Sequence, residues 1–242
     1  MKKLCLILLM FLSLFLIMPF NTTYAKGTQE PVPDTVADSH SKYSAYYQVT
    51  STRFCSAILI SSTAALTAKH CVGAQPAKRS GRIYPGLNGN ERPFGYMNIS
   101  TYIPYPNPKY DIAIIKGTER DQDRFYKYYI KKFKTTVTGY TDEEFKKFKD
   151  EEVYSYGYPD RRPAPLKVQY RSDGIIMAYK TKTLPTPYLF TDMPNYEGQS
   201  GSGVFKKDGQ FLGIITTRSV KYTANVLPFT TEIADWINKN AN

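Results

Sequence analysis

Leu66-Thr67-Ala68-Lys69-His70-Cys71, read with the earlier run Phe54-Cys55-Ser56-Ala57-Ile58-Leu59-Ile60, decides the class of this chain. The earlier run has strand length and β-prone residues, one cysteine opens it, and a second follows the histidine that ends the next run. The same texture recurs in Tyr46-Tyr47-Gln48-Val49, Ile112-Ala113-Ile114-Ile115, Val153-Tyr154-Ser155-Tyr156, Gly174-Ile175-Ile176-Met177 and Phe211-Leu212-Gly213-Ile214-Ile215. Each run is short and bounded by Gly, Pro, Asn or Asp. With 21 Tyr and 13 Phe to form cross-strand aromatic pairs, the pattern predicts an all-β chain, sandwich or barrel.

Two helices interrupt it. Thr141-Asp142-Glu143-Glu144 reads as a capping box, and Phe145 and Phe148 follow on one face. Near the C-terminus Ile233, Trp236 and Ile237 form an apolar stripe over residues 232–239. Residues 127–134 alternate aromatics with lysines. They read as a solvated strand or connector with its aromatics turned inward, rather than as a nucleic-acid patch.

The N-terminus has a different character. Lys2 and Lys3 precede an apolar run over residues 4–18, and a small residue, Ala25, closes the segment. A membrane span needs about 18–20 apolar residues, so residues 1–25 are predicted to be a secretory signal peptide. Its removal takes two lysines and lowers the formal charge from +11 to +9. No later segment is apolar enough to span a bilayer, so no membrane association is expected after processing. The basic balance favours acidic surfaces or substrates, or serves solubility alone. Cys5 leaves with the signal. Cys55 and Cys71 remain as an even pair in an oxidising compartment, which predicts a disulfide; two buried free thiols are the alternative.

Three short segments carry chemistry. His40 lies in an unpatterned stretch, so His70 is the only histidine within the apparent fold. A general base needs a ring held in one orientation, and a cysteine-pinned turn supplies that. In Gly198-Gln199-Ser200-Gly201-Ser202-Gly203 the glycines let the backbone approach a substrate carbonyl. The N–H groups of Gly198 and Ser200 are then candidates for an oxyanion hole. Asp111 opens the apolar run 112–115, where an acidic residue costs desolvation unless paired. It is the candidate acceptor for the second ring proton of His70.

The order His, Asp, Ser differs from that of subtilisins and α/β-hydrolases. These motifs, together with Phe54-Cys55-Ser56-Ala57 and Tyr110-Asp111-Ile112-Ala113, resemble those of the chymotrypsin-like serine proteases. Tyr156-Gly157-Tyr158-Pro159, Phe190-Thr191-Asp192-Met193 and the Gly201-Ser202 pair are similar to the bacterial V8-like branch, which includes glutamyl endopeptidases and exfoliative toxins. The resemblance implies two six-stranded antiparallel β-barrels with a cleft between them. It also implies a His70–Asp111–Ser200 triad, no metal or cofactor, and a protein or peptide substrate. The expected organisation is a flexible leader or propeptide over 26–41, a barrel over 42–118, a charged connector with a short helix over 119–152, and a second barrel with a terminal helix over 153–242. A monomer is expected. The alternative is a catalytically weak protease-fold protein that binds through its basic surface.

By the family's pattern, Asn195, Tyr196 and Glu197 line one side of the substrate pocket, and Ile215, Thr216, Thr217 and Arg218 the other. The residue before the nucleophile, acidic in trypsin-like zymogens, is Gln199, so no ion pair with a new N-terminus forms there. Asn195 and Ile215 stand where glutamyl endopeptidases carry Thr and His, and Pro194 stands where trypsin carries a carboxylate. The expected P1 residue is therefore small, polar or an uncharged aromatic.

Overall fold

The computed structural model describes residues 27–164, 166–181 and 186–241; the predicted signal peptide lies outside them. The chain begins with strand β1 (Thr28–Pro31), followed by β2 (Ser44–Gln48), β3 (Phe54–Leu59), β4 (Ala64–Thr67), β5 (Ala77–Lys78), β6 (Arg82–Pro85), β7 (Met97–Asn98), β8 (Thr101–Pro104) and β9 (Ala113–Lys116). Helices α1 (Arg124–Ile130) and α2 (Asp142–Lys147) lead to β10 (Glu152–Gly157), β11 (Tyr170–Lys180), β12 (Tyr188–Pro194), β13 (Gly203–Lys206), β14 (Phe211–Arg218) and β15 (Thr223–Pro228). Helix α3 (Thr231–Asn240) ends the described chain.

The strands form two antiparallel β units. In the second, β11-β10-β13-β14-β15-β12 closes on itself through the β11–β12 pairing, giving a six-stranded barrel. The first is a curled sheet of eight short strands in the order β5-β8-β9-β4-β3-β2-β6-β7. The double-barrel architecture is therefore present, with the first unit more finely divided than six strands. Gly81, at φ 110°, is one reason for the division. A side chain there would meet the Gln48 carbonyl at 2.2 Å, so the backbone bends where only glycine fits.

Residues 27–41 are not a loose leader. Strand β1 pairs with β11, from Thr28 opposite Asp173 to Pro31 opposite Tyr170, as a seventh strand outside the ring. Val32 is buried, and the Thr35 hydroxyl donates to the Gly86 carbonyl at 2.7 Å. The segment lacks periodicity because only one side chain of the strand, Gln29, turns inward.

The connector also differs from expectation. The Asp123 carboxylate accepts the Tyr126 N–H at 2.7 Å and caps α1. Tyr126 and Ile130, one turn apart, are buried. Tyr128 and Tyr129 are 69% and 44% exposed, so two of the aromatics expected to face inward do not. Helix α2 carries the capping box as read. The Thr141 hydroxyl accepts the Glu144 N–H at 3.3 Å, and the Glu144 carboxylate accepts the Thr141 N–H at 2.8 Å.

Inward and outward residues alternate along β12, with Leu189, Thr191 and Met193 buried in the closed barrel. Each fully buried aliphatic side chain of such a core contributes about 1.5–3 kcal/mol. A separate cluster joins the two units: Ile58, Leu66, Ile112 and Ile114 from the first pack with Ile214, Leu227 and Phe229 from the second, and with Ile233 and Ile237 of α3. This shared core fixes β4 and β9, which lead into and out of the His70 and Asp111 turns, against β14 beside the serine loop.

Candidate active site

His70 lies in a 3₁₀ turn, Lys69–Cys71, directly after β4. Three contacts hold that turn. Cys55 and Cys71 form the disulfide read from the sequence. The Tyr102 hydroxyl bridges the carbonyls of Lys69 and Gly73, at 3.0 and 2.6 Å. The Lys69 ammonium donates to the carbonyls of Asn107 and Pro108, at 3.0 and 3.3 Å, tying the turn to the loop that carries Asp111. Burial pulls this ammonium below the usual lysine range, against the opposing pull of the Asp111 charge.

Asp111 uses both oxygens on the histidine. Oδ1 accepts the His70 backbone N–H at 2.8 Å, and Oδ2 lies 2.6 Å from the ring Nδ1. Nδ1 is thus the protonated nitrogen and Nε2 carries the free lone pair. The His70 side chain is 50% exposed and that of Asp111 20%, so the ring opens to the cleft while its acceptor is sheltered. Cys55, His70 and Cys71 offer ligand atoms within 4.8 Å of one another, but the sulfurs are joined and carry no thiolate to hold a metal.

The serine loop docks on the first unit through Ser56. The Ser56 N–H donates to the Ser200 carbonyl at 2.9 Å, its hydroxyl donates to the Gly198 carbonyl at 2.9 Å, and that hydroxyl also accepts the Tyr158 N–H at 3.0 Å. The Thr67 hydroxyl donates to the Ser56 carbonyl at 2.9 Å. Gly201, at φ 92°, packs so closely that a Cβ would meet the Ser56 carbonyl at 2.1 Å and the Thr67 hydroxyl at 2.6 Å. Ser200 is therefore adjacent to residues on the two strands that precede the His70 turn. Ser56 and Thr67 stood inside the motifs read from the sequence, but their role in seating the serine loop was not read, although a serine inside an apolar strand was a visible clue.

Peptide planarity aims the two candidate oxyanion donors. The Glu197 carbonyl accepts the Asp160 N–H at 2.7 Å, so the Gly198 N–H on the opposite side of that plane points the other way. The Gln199 carbonyl accepts the Ser202 N–H at 3.0 Å and fixes the Ser200 N–H likewise. Among the described residues neither N–H has a protein acceptor. Gly198 sits at φ 88°, with the Tyr158 carbonyl and the Phe54 ring filling the space a side chain would need.

The pocket residues divide unequally. Asn195 is buried, and its Nδ2 donates to the Thr217 carbonyl at 3.1 Å, linking the two walls. Tyr196 packs near Tyr222 and under the Arg161 guanidinium. Glu197 is exposed and pairs with Arg218 at 3.4 Å, while Arg218 also stacks on Tyr222. Thr216 is buried and Thr217 exposed. Ile215 departs from expectation: its side chain lies in the core of the closed barrel, and its contribution to the serine loop is a carbonyl that accepts the Gly201 N–H at 2.7 Å. Alternation along β14 sends that side chain inward. Asn225 was not anticipated. It lies opposite Thr217 and donates to its hydroxyl at 3.1 Å.

The disulfide encloses a loop with a sequence separation of 16. On the loop-entropy model, replacing both cysteines by alanine is expected to lower stability by about 3 kcal/mol. Urea denaturation of the double variant beside the parent measures this, and matching midpoints would contradict it.

A family model described as a trypsin-like peptidase domain matches residues 55–214. Among solved structures, a Glu endopeptidase in complex with MPD superposes with a TM-score of 0.68 at 21% identity, covering 87% of this chain and 95% of that one. The protease Anisep from Arthrobacter nicotinovorans gives 0.62 at 14% identity, covering 88% and 99%. The thermostable serine protease AL20 from an extremophilic microorganism gives 0.61 at 13%, covering 83% and 97%. No curated protein matches the chain. At such identities the structural likeness is one of fold, whereas the family match spans well over half of the chain and all three candidate catalytic residues. The chain belongs to the trypsin-like peptidase domain family, and its enzyme class is serine endopeptidase.

Proposed function

We propose that this endopeptidase is secreted and cleaves peptide bonds through an acyl-enzyme intermediate formed on Ser200. His70 Nε2 takes the Ser200 proton as the hydroxyl attacks the substrate carbonyl, then returns it to the leaving amine. Asp111 holds the ring and stabilises the imidazolium that forms. The N–H groups of Gly198 and Ser200 receive the developing oxyanion. The observation that carries this reading is the two-point grip of Asp111 on His70, at 2.8 and 2.6 Å, which fixes both ring orientation and tautomer. The N-terminal sequence and the Cys55–Cys71 disulfide support an extracellular location. Labelling by a serine-directed sulfonyl fluoride, located at Ser200 by peptide mapping, tests the assignment. Label on another residue, or none in a protein that cleaves peptides, would overturn it.

The pocket favours an uncharged polar P1 residue. The side-chain oxygens of Asn195, Thr216 and Asn225 are buried and lack a partner in the protein. The Thr217 carbonyl only accepts, so it fixes which end of the Asn195 amide is turned away from it. These walls therefore present unmet acceptors in place of a buried cation, and the Arg218 charge already faces Glu197. One exposed pair of that kind is worth about 0–1 kcal/mol and gives little selection. In a peptide set varied only at P1, cleavage after Gln, Asn, Ser or Tyr is expected to exceed cleavage after Glu or Lys by about tenfold or more. Cleavage confined to Glu would refute the pocket reading.

A further inference from the structure

The residue before the nucleophile belongs to a buried polar network that reaches across the molecule to β1. The Gln199 side chain is fully buried, and its Oε1 accepts the Tyr196 N–H at 2.8 Å. A second donor comes to the same oxygen from Gln29 Nε2 at 3.1 Å. Gln29 Nε2 also reaches the Pro194 carbonyl at 3.1 Å and the Ser172 hydroxyl at 2.8 Å. Its Oε1 accepts from Arg161 Nη1 at 3.4 Å, and the Arg161 guanidinium lies over the rings of Tyr170 and Tyr196. The Pro194 carbonyl can only accept and the guanidinium can only donate, so the Gln29 amide has one orientation. Gln29 is the single inward residue of β1, between exposed Thr28 and Glu30.

We propose that Gln29 is a positioning residue for catalysis: its carboxamide, delivered by β1, locks the loop over residues 194–199 in the shape that presents the Gly198 and Ser200 N–H groups to the substrate. This rests on the endopeptidase reading above. The physical need is specific. Gln199 is neutral and cannot draw in a cation, so its amide must be met by a neutral partner of matching donors and acceptors. Removing Gln29 takes the nearer of two donors from the Pro194 carbonyl, leaving the Ser172 hydroxyl at 3.3 Å, and leaves one lone pair of Gln199 without its buried donor; a buried lone pair of that kind is costly to leave unmade. The loop relaxes by turning the Pro194–Asn195 and Asn195–Tyr196 peptides towards water, and that turn is passed along the chain to the Glu197–Gly198 plane, which carries the Gly198 N–H. The transition state feels that rotation more than the bound substrate does, because the oxyanion forms only there.

The variant Gln29→Met keeps the side-chain length and the β1–β11 pairing but removes the donors. With active enzyme counted by sulfonyl fluoride titration, kcat per active site is expected to fall about 10- to 100-fold, with KM changed less than threefold. Hydrogen exchange at the Tyr196 N–H is expected to quicken at least tenfold in the same variant. Glu30→Ala, on the exposed face of β1, controls for strand docking and should leave both readouts unchanged. Should Gln29→Met fail to fold, Gln29→Glu keeps the test alive: it retains the shape but presents oxygens to the same acceptors, with the same loss expected. The proposal is overturned if kcat stays within about twofold of the parent, or if Tyr196 exchange is unaltered. The exchange readout needs no turnover, so an inactive parent would count against the endopeptidase reading while leaving the brace measurable.

Discussion

Replacing Ser200 by alanine is expected to reduce peptide hydrolysis by at least about a thousandfold while the protein folds as before. The substitution removes one hydroxyl oxygen, and no hydrogen bond within the described structure uses that hydroxyl. The backbone bonds that seat the loop, from the Ser56 N–H to the Ser200 carbonyl and from the Gly201 N–H to the Ile215 carbonyl, involve only main-chain atoms of the loop and survive. Stability should therefore move by no more than about 0.5 kcal/mol, the range for changes away from core or buried polar groups. The chemical loss is of a different order. Without Oγ no acyl-enzyme forms, and the remaining groups offer only carbonyl polarisation and binding, which leave a residual rate several powers of ten below that of an intact triad. Hydrolysis of a casein or peptide substrate by the purified variant, with thermal unfolding recorded alongside, decides the matter. Activity within tenfold of the parent in a correctly folded variant would remove Ser200 from the mechanism.

How much of this was legible in the sequence depended on whether a residue's role is written in its neighbours. The strands were readable because alternation and turn residues are local properties, and so was the capping box of α2. The closure of the second barrel was not readable from such patterns. It rests on β11–β12 pairing, from Ile176 opposite Thr191 to Lys180 opposite Tyr188, and the resemblance supplied it instead. The β1 strand was misread as loose because one inward glutamine among prolines and polar residues leaves no periodic trace. Helix α1 was missed because aromatics and lysines alternate over residues 127–134, so that part of the tract read as a strand or connector. The Asp123 cap and the spacing of Tyr126 and Ile130 were the quieter, correct signs.

The site divides along the same line. The triad candidates were conspicuous because each stood in a motif whose neighbours made sense only around that residue: cysteine beside His70, glycines about Ser200, an apolar strand after Asp111. The residues that support them come from distant positions and have ordinary surroundings. Gln29 and Gln199 are 170 positions apart, and Ser56 reaches Gly198 across 142. Contacts of that separation leave no pattern in a single chain. Ile215 shows the reverse error, a residue placed in the pocket by family position whose side chain the strand's alternation commits to the core.

Asp111→Asn is expected to lower kcat by about a thousandfold or more, with little change in KM, although the substitution is nearly isosteric. The two oxygens of Asp111 face two donors, the backbone N–H of His70 and the ring Nδ1–H. An asparagine has one oxygen and one NH₂ for those places. The backbone N–H cannot become an acceptor, so the amide oxygen goes to it and the NH₂ faces the ring. Nδ1 must then supply a lone pair, which moves the ring proton to Nε2, the nitrogen that has to accept from Ser200. The enzyme keeps its geometry and loses its base. In addition, the imidazolium formed during attack no longer has a carboxylate beside it, which removes stabilisation present only in the transition state. The loss should ease at high pH, where hydroxide in solution can take the serine proton in place of the ring. Progress curves for the variant from pH 6 to 10 against the parent test both points. A variant within tenfold of the parent at pH 7 would show that the hydrogen bond to Nδ1 orients the ring without setting its tautomer.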